Sequence, residues 1–291
     1  MDRALEDDRH LVGLIGAGIA TSLSPALHER EADHHGLRYL YQLIDLDHLG
    51  LGPDAIGSLL AGARRLGFRG LNVTHPCKQV VLPHLDELSA EAEAARAVNT
   101  IVFEDGRAIG HNTDTVGFER SFRRGLADAA TGRVVLLGAG GAGAAVATAL
   151  LRLGAAEVVV VDPDADRAGC LVASAGARLG SDRLTVGSPD RLAEHLRDAD
   201  GLVNASPVGM TGHPGTPVDP VLLPSRAWVA DIVYRPLRTG LLAAARGRGC
   251  RTLDGGGMVV FQAAGAFEIF TGRAPDADRM LAHFEELAAH A

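Results

Sequence analysis

Residues 134–151 read VVLLGAGGAGAAVATALL. An apolar β-prone run ends at Gly138, and Gly138, Gly140 and Gly143 form a G-x-G-x-x-G array that opens an Ala-rich, helix-prone stretch over 141–153. The order of strand, glycines and helix is what makes this array informative. The first glycine permits a tight turn, the second lets the backbone approach a pyrophosphate, and the third lets helix and strand pack closely. The helix N-terminus then faces the anion. The stretch predicts a doubly wound α/β domain that holds a dinucleotide.

The next apolar run, VVVVD, ends at Asp162, nineteen residues beyond Gly143. A carboxylate there can accept hydrogen bonds from the adenosine ribose hydroxyls. It would repel a 2′-phosphate, and the nearest cation, Arg167, is separated from it by Pro163, Asp164, Ala165 and Asp166. NAD rather than NADP is therefore the expected cofactor. An Asp after a strand can alternatively cap the following helix. Residues 14–21, LIGAGIAT, begin the same array with Gly16 and Gly18 but place Thr21 where the third glycine belongs, so this second match is read as a decoy.

Working outward, the series that starts at Arg133 continues through a helix from Ala165 to about Leu179, then DGLVNAS, WVADIV and RTLDG. Continuous apolar strands between helices indicate a sheet covered on both faces. Upstream, the runs LVGLI, YLYQLI, FRGLNV and VNTIVF alternate with helix-like segments at 25–36, 53–66 and 89–96, a second and largely parallel α/β arrangement. Asp105-Gly106 predicts a hairpin turn, and Asn112 or Thr113 the start of a helix. After Gly257 come two amphipathic helices and no strand, a tail expected to pack on the first domain because the nucleotide domain is complete by Gly255.

The 291 residues, 47% hydrophobic and 22% charged, are enough for two such cores. A net charge of -8 with dispersed Lys and Arg offers no basic stripe, so nucleic acid is not an expected partner. Cys77, Cys170 and Cys250 lie far apart without C-x-x-C spacing, which predicts neither a disulfide framework nor a metal site. The acidic N-terminus and the lack of an uncharged apolar stretch of spanning length predict a cytoplasmic protein with no membrane partner.

The segments TSLSPALHE, GLNVTHPCKQ, RAVNTIV, GHNTDTVGF, GAGGAG, NASPVGM, ADIVYRP and DGGGMVVFQAA occur in that order along nearly the whole chain. Together they resemble the shikimate/quinate dehydrogenase family. The resemblance implies an α/β substrate domain over 1–113 and 256–291, with the C-terminal helices returning to it, and a Rossmann-type dinucleotide domain over 114–255. It implies a catalytic pair, Lys78 and Asp114, and a carboxylate site at Ser22 and Ser24. Ring hydroxyls would meet Asn72, Thr74, Asn99, Tyr234 and Gln262. The implied cofactor set is Gly138, Gly140, Gly141, Ala142, Gly143, Asp162, Arg167, Ala205, Val233, Gly257 and Met258.

The chemistry suits these residues. Hydroxyls donate to an anion without adding a competing charge, and oxidation of an alcohol needs a group to take its proton while hydride leaves. Ser24 can also cap a helix before Pro25, Asn99 can fasten its own loop, and Tyr234 can be an interior strand residue. Asp162-Pro163-Asp164 departs from the Asn-Arg-Thr type of the NADP-preferring members and lies closer to the NAD-using quinate/shikimate branch. His75 and His111 stand beside the motifs and are left outside the catalytic set. The expected partner is a small polyhydroxylated carboxylate, shikimate or quinate, and the expected form is a monomer or a homodimer. The alternatives are a biosynthetic NADP-dependent shikimate or aminoshikimate dehydrogenase, a ligand-sensing relative without turnover, and a nucleotide-binding scaffold with an unrelated substrate.

Overall fold

The computed structural model describes residues 8–179 and 182–289. Its contacts divide the chain into two compact units, one running to Thr113 and resuming at Val260, the other Asp114–Val259.

The second unit follows from its valine-rich runs. α6 (Asp114–Gly125) leads into β7 (Arg133–Leu137), α7 (Gly141–Arg152), β8 (Glu157–Val161), α8 (Ala165–Leu179), β9 (Leu184–Gly187), α9 (Leu192–Arg197), β10 (Gly201–Asn204), β11 (Trp228–Asp231), α10 (Gly240–Gly247) and β12 (Arg251–Leu253). The strands lie in the order β12-β11-β10-β7-β8-β9, and all neighbours are parallel. Alternation within each strand serves both faces. Val134, Leu136, Val158 and Val160 join one core, while Val135, Leu137, Val159 and Val161 join another. The strand order reverses direction between β7 and β10, and ligands of open α/β sheets bind beyond the strand carboxyl ends at such a point.

In the first unit, β1 (Arg9–Gly16), α1 (Ser24–His34), β2 (Arg38–Asp45), α2 (Leu46–Leu49), α3 (Ile56–Arg65), β3 (Gly70–Val73), α4 (Cys77–Val80), β4 (Glu87–Leu88), α5 (Ala90–Ala95), β5 (Thr100–Glu104) and β6 (Arg107–His111) build a sheet of order β2-β1-β3-β5-β6-β4. β5 is antiparallel to both neighbours, to β6 because Asp105 and Gly106, at φ 48° and 76°, reverse the chain in the two-residue turn that the Asp-Gly pair predicts. Ile15, Leu71, Val73 and Ile101 pack under Ile56, Leu60 and Ala63 of α3. Val12, Leu14 and Tyr41 pack with Ala266 and Phe270 of α11 (Gly256–Thr271).

α12 (Ala277–Ala289) is held to α1 by a buried acid. Glu31, with no exposed side-chain surface, accepts from Arg279 Nε at 3.0 Å and Nη2 at 2.6 Å, and from the Asp276 amide at 2.8 Å. α2, α4, β4, β9, α9 and α10 are absent from the sequence expectation. β4 has two residues and β9 only four at a sheet edge, too few for a periodic signal.

Candidate functional site

The glycine loop separates three needs that the motif merges. Gly138 adopts φ 100°, and a Cβ there would lie 2.8 Å from the Ala205 carbonyl oxygen. A Cβ on Gly143 would lie 2.1 Å from the Gly138 oxygen. Both positions demand glycine for the fold itself. Gly140 differs: its backbone is extended, at φ −76° and ψ −171°, and an added Cβ would meet no atom within 4 Å. Nothing in the fold needs glycine there, so the open space suits a group from outside the chain.

Gly140 is also the N-cap of α7, no side chain caps that helix, and no acidic residue stands in its first turn. The helix end, with Gly141, Ala142 and Gly143 in its first turn, can therefore receive a diphosphate on its backbone N–H groups. Gly140→Val should fold with an unchanged melting temperature yet bind a nicotinamide dinucleotide about tenfold or more weaker by calorimetric titration. Unchanged affinity would count against the cradle.

Asp162, 6% exposed, sits at the rim of this loop. Its Oδ2 accepts from the Ala139 amide at 2.8 Å and its Oδ1 from Asp164 N at 2.9 Å, leaving each oxygen a further lone pair. Asp164 caps the turn into α8, accepting from Arg167 N at 3.1 Å, and its carboxylate faces the Arg167 guanidinium at 3.7 Å.

Asn204 and Asp231 end β10 and β11 side by side. Neither was singled out by the sequence reading, although both stand in quoted motifs. Asn204 Nδ2 donates to Asp231 Oδ1 at 2.9 Å and to the Val208 carbonyl at 3.0 Å, and its Oδ1 accepts from Ser206. Asp231 also accepts from the Val233 amide and from Thr239 Oγ1 at 2.7 Å. Burial raises the Asp231 pKa above the ordinary carboxylate value, against the pull of Thr239, Val233 and Asn204. This network fixes the turns that carry Ala205 and Val233, and Tyr234 follows half-buried. Gly257 and Met258 have packing explanations: a Cβ on Gly257 would meet Ser121 Oγ at 2.5 Å, and Met258 lies in the core of the second unit.

In the first unit Ser22 and Ser24 are partly exposed, with Ser22 Oγ donating to Ser24 Oγ at 3.2 Å. Leu23, not Ser24, occupies the N-cap of α1, so capping does not occupy the Ser24 hydroxyl, while Ser22 Oγ accepts from the Ser24 amide at 3.3 Å. Thr74 is half-buried after β3, and its carbonyl accepts from the Cys77 amide. Lys78 lies half-buried on α4, where its carbonyl accepts from the Val98 amide at 2.8 Å.

One residue further, buried Asn99 gathers the unit's polar groups. Its Oδ1 accepts from the Thr113 amide at 2.9 Å, and its Nδ2 donates to Thr113 Oγ1 at 2.8 Å and to Gln262 Oε1 at 3.2 Å. Asn99 thus does fasten its loop, and in doing so fixes Thr113, the residue before Asp114. Asp114 is the first residue of α6. Asn72 donates to the Asn99 carbonyl and to Thr100 Oγ1, and accepts from the Tyr41 hydroxyl at 2.8 Å. Tyr41 and Thr100 were unread in the sequence because their contribution depends on strand register. Burial lowers the His111 pKa, opposed by Glu104 and Glu91.

Among the described residues, no group of three or more His, Cys, Asp or Glu is placed to hold a metal, and no helix is long and apolar enough to cross a membrane.

Comparison with known proteins bears directly on this arrangement. Residues 14–101 match the shikimate dehydrogenase substrate binding domain, 134–211 the saccharopine dehydrogenase NADP binding domain, and 255–283 the shikimate 5'-dehydrogenase C-terminal domain. A shikimate dehydrogenase (NADP(+)) of Streptomyces avermitilis is 61% identical over 287 residues, covering 99% of each chain. A quinate/shikimate dehydrogenase (NAD(+)) of Corynebacterium efficiens is 45% identical, covering 97% of this chain and 100% of its own. The structure of quinate dehydrogenase from Corynebacterium glutamicum in complex with NAD superposes with a TM-score of 0.89 at 43% identity, covering 96% of this chain and 99% of that one.

Proposed function

The chain belongs to the shikimate/quinate dehydrogenase family, and from that premise we propose that it interconverts shikimate with 3-dehydroshikimate, quinate with 3-dehydroquinate, or both, using NAD. It is an oxidoreductase of that family whose cofactor is a nicotinamide dinucleotide. The observation that carries the NAD reading is Asp162, a carboxylate oriented at the glycine loop by the Ala139 amide. A 2′-phosphate, at close to two negative charges, would face that carboxylate, while Arg167 is already matched with Asp164.

Gly138, Gly140 and the first turn of α7 would hold the diphosphate, and Asp162 the ribose. Bound there, the nicotinamide supplies or accepts the hydride at ring C3. The Ser24 hydroxyl donates to the substrate carboxylate, and the Ser22 hydroxyl does so by turning its proton from Ser24 to the anion. Thr74, Asn99, Tyr234, Gln262 and the remaining acceptor capacity of Asn72 read the ring hydroxyls. Lys78 takes the hydroxyl proton during oxidation and returns it during reduction, and Asp114 has the role of orienter and substrate ligand.

Initial rates with NAD and NADP, each with shikimate and quinate, test this reading. NAD should be favoured in kcat/KM by about 100-fold, and Asp162→Asn should narrow the preference about tenfold by removing the charge. A wild type that prefers NADP would sink the NAD assignment. It would support the second reading, biosynthetic reduction with NADP, which the name of the Streptomyces relative favours.

A further inference from the structure

The first unit repeats the glycine-and-acid pattern of the second and closes it. Gly16 is crowded as its counterpart Gly138 is, a Cβ there meeting Thr74 Cγ2 and the His75 carbonyl, while Gly18, the counterpart of Gly140, has the Asp47 carboxylate 3.6 Å from where its Cβ would stand. Asp45 ends β2, paired in register with Gly16. Where Asp162 gives one oxygen to its glycine loop, Asp45 gives both. Its Oδ1 accepts from Gly18 N at 3.1 Å and its Oδ2 from Ile19 N at 2.9 Å. Oδ1 also accepts from Asp47 N at 3.1 Å, capping α2.

The consequence travels along a short path. The Ile19 carbonyl accepts from Ser22 N at 2.8 Å, and Ser22 Oγ accepts from Ser24 N at 3.3 Å. Gly18 is held at φ 65°, a left-handed conformation suited to glycine, which turns the loop toward the Asp45 carboxylate. The other side of the loop is tied down where Ala17 N donates to the His75 carbonyl at 2.9 Å.

We infer that Asp45 is a positioning residue that sets the two serine hydroxyls for the substrate carboxylate. This rests on the shikimate/quinate reading above. A carboxylate suits the task because the loop offers only N–H donors to it, and charge-assisted bonds to backbone amides are stronger than neutral ones.

Asp45→Ala and Asp45→Asn test the inference by shikimate titration calorimetry and by steady-state kinetics with shikimate and its methyl ester. Asp45→Ala should raise the Kd and KM for shikimate about tenfold, since small misplacements of binding groups carry large penalties. It should leave kcat and the KM for NAD within about twofold, and the preference for shikimate over its ester should fall by a similar factor. Asp45→Asn, which keeps one acceptor oxygen, should lie between the two and carry the test alone if the alanine variant does not fold. Unchanged shikimate affinity in both variants, or an equal loss for the ester and for NAD, would overturn the positioning role while leaving the function intact. A wild type that binds neither shikimate nor quinate would instead overturn the functional reading, and this inference with it.

Discussion

Replacing Lys78 with alanine is expected to lower kcat with shikimate or quinate by about 10²–10⁴-fold while leaving dinucleotide affinity unchanged. The local fold does not depend on the ammonium group. α4 is anchored by Cys77, which is fully buried, and by the bond from the Val98 amide to the Lys78 carbonyl, a backbone contact that survives truncation of the side chain. What would be lost is the group proposed to hold the ring oxygen and exchange its proton. Lys78→Arg separates charge from proton exchange, because a guanidinium keeps a positive charge but does not deprotonate in this pH range. It should restore substrate binding without restoring turnover. Initial rates, NAD titration and thermal melting of the three proteins decide the matter; a kcat within about fivefold of wild type in Lys78→Ala would remove Lys78 from the chemistry.

The parts of the fold legible beforehand are those where one physical cause dominates. Val134–Leu137 and Val158–Val161 are buried on both faces, so an unbroken apolar run is sufficient evidence for them. Asp105-Gly106 is equally direct, because left-handed backbone angles limit the residues that can stand there. β9 was not legible: Leu184 and Gly187 are buried, but Thr185 is half-buried and Val186 exposed on an edge strand, and four residues do not make a period.

The glycine loops mark where pattern ceases to be informative. Gly18 and Gly140 are both the second glycine of a G-x-G array, and the acid at the end of the next strand separates them: Asp45 gives both oxygens to the amides of its loop, while Asp162 gives one. Likewise, Asn72, Asn99 and Thr100 stand in recognisable motifs, but Tyr41, whose hydroxyl orients Asn72 from another strand, stands in none of them.

Acid should destabilise the first unit, chiefly through His28, one turn after Ser24 on α1. Its ring lies 4.9 Å from Tyr41, 6.2 Å from Phe267 and 6.4 Å from Phe270, with Nδ1 3.1 Å from the Tyr39 hydroxyl. Burial lowers its pKa from 6.5 to about 3, although Glu31 pulls the other way. Between those values the unfolded chain binds one more proton than the folded one. Unfolding free energy must then fall with pH by about 1.4 kcal/mol per unit below 6.5. Glu31 adds a later loss. Burial opposes its ionisation, yet bonds from Arg279, the Asp276 amide and His35 lower its pKa below 4.5, so the stability it contributes at neutral pH disappears as pH falls through the folded value. Urea unfolding at pH 7.5, 6 and 5 should show wild type losing about 2 kcal/mol between pH 7.5 and 5. His28→Phe should lack that slope, at a cost near neutrality of about 1 kcal/mol for the Tyr39 hydroxyl's lost partner. Parallel slopes in the two proteins would show that His28 stays uncharged in the unfolded chain or takes its proton without opening the core, and the acid sensitivity would then belong to other groups.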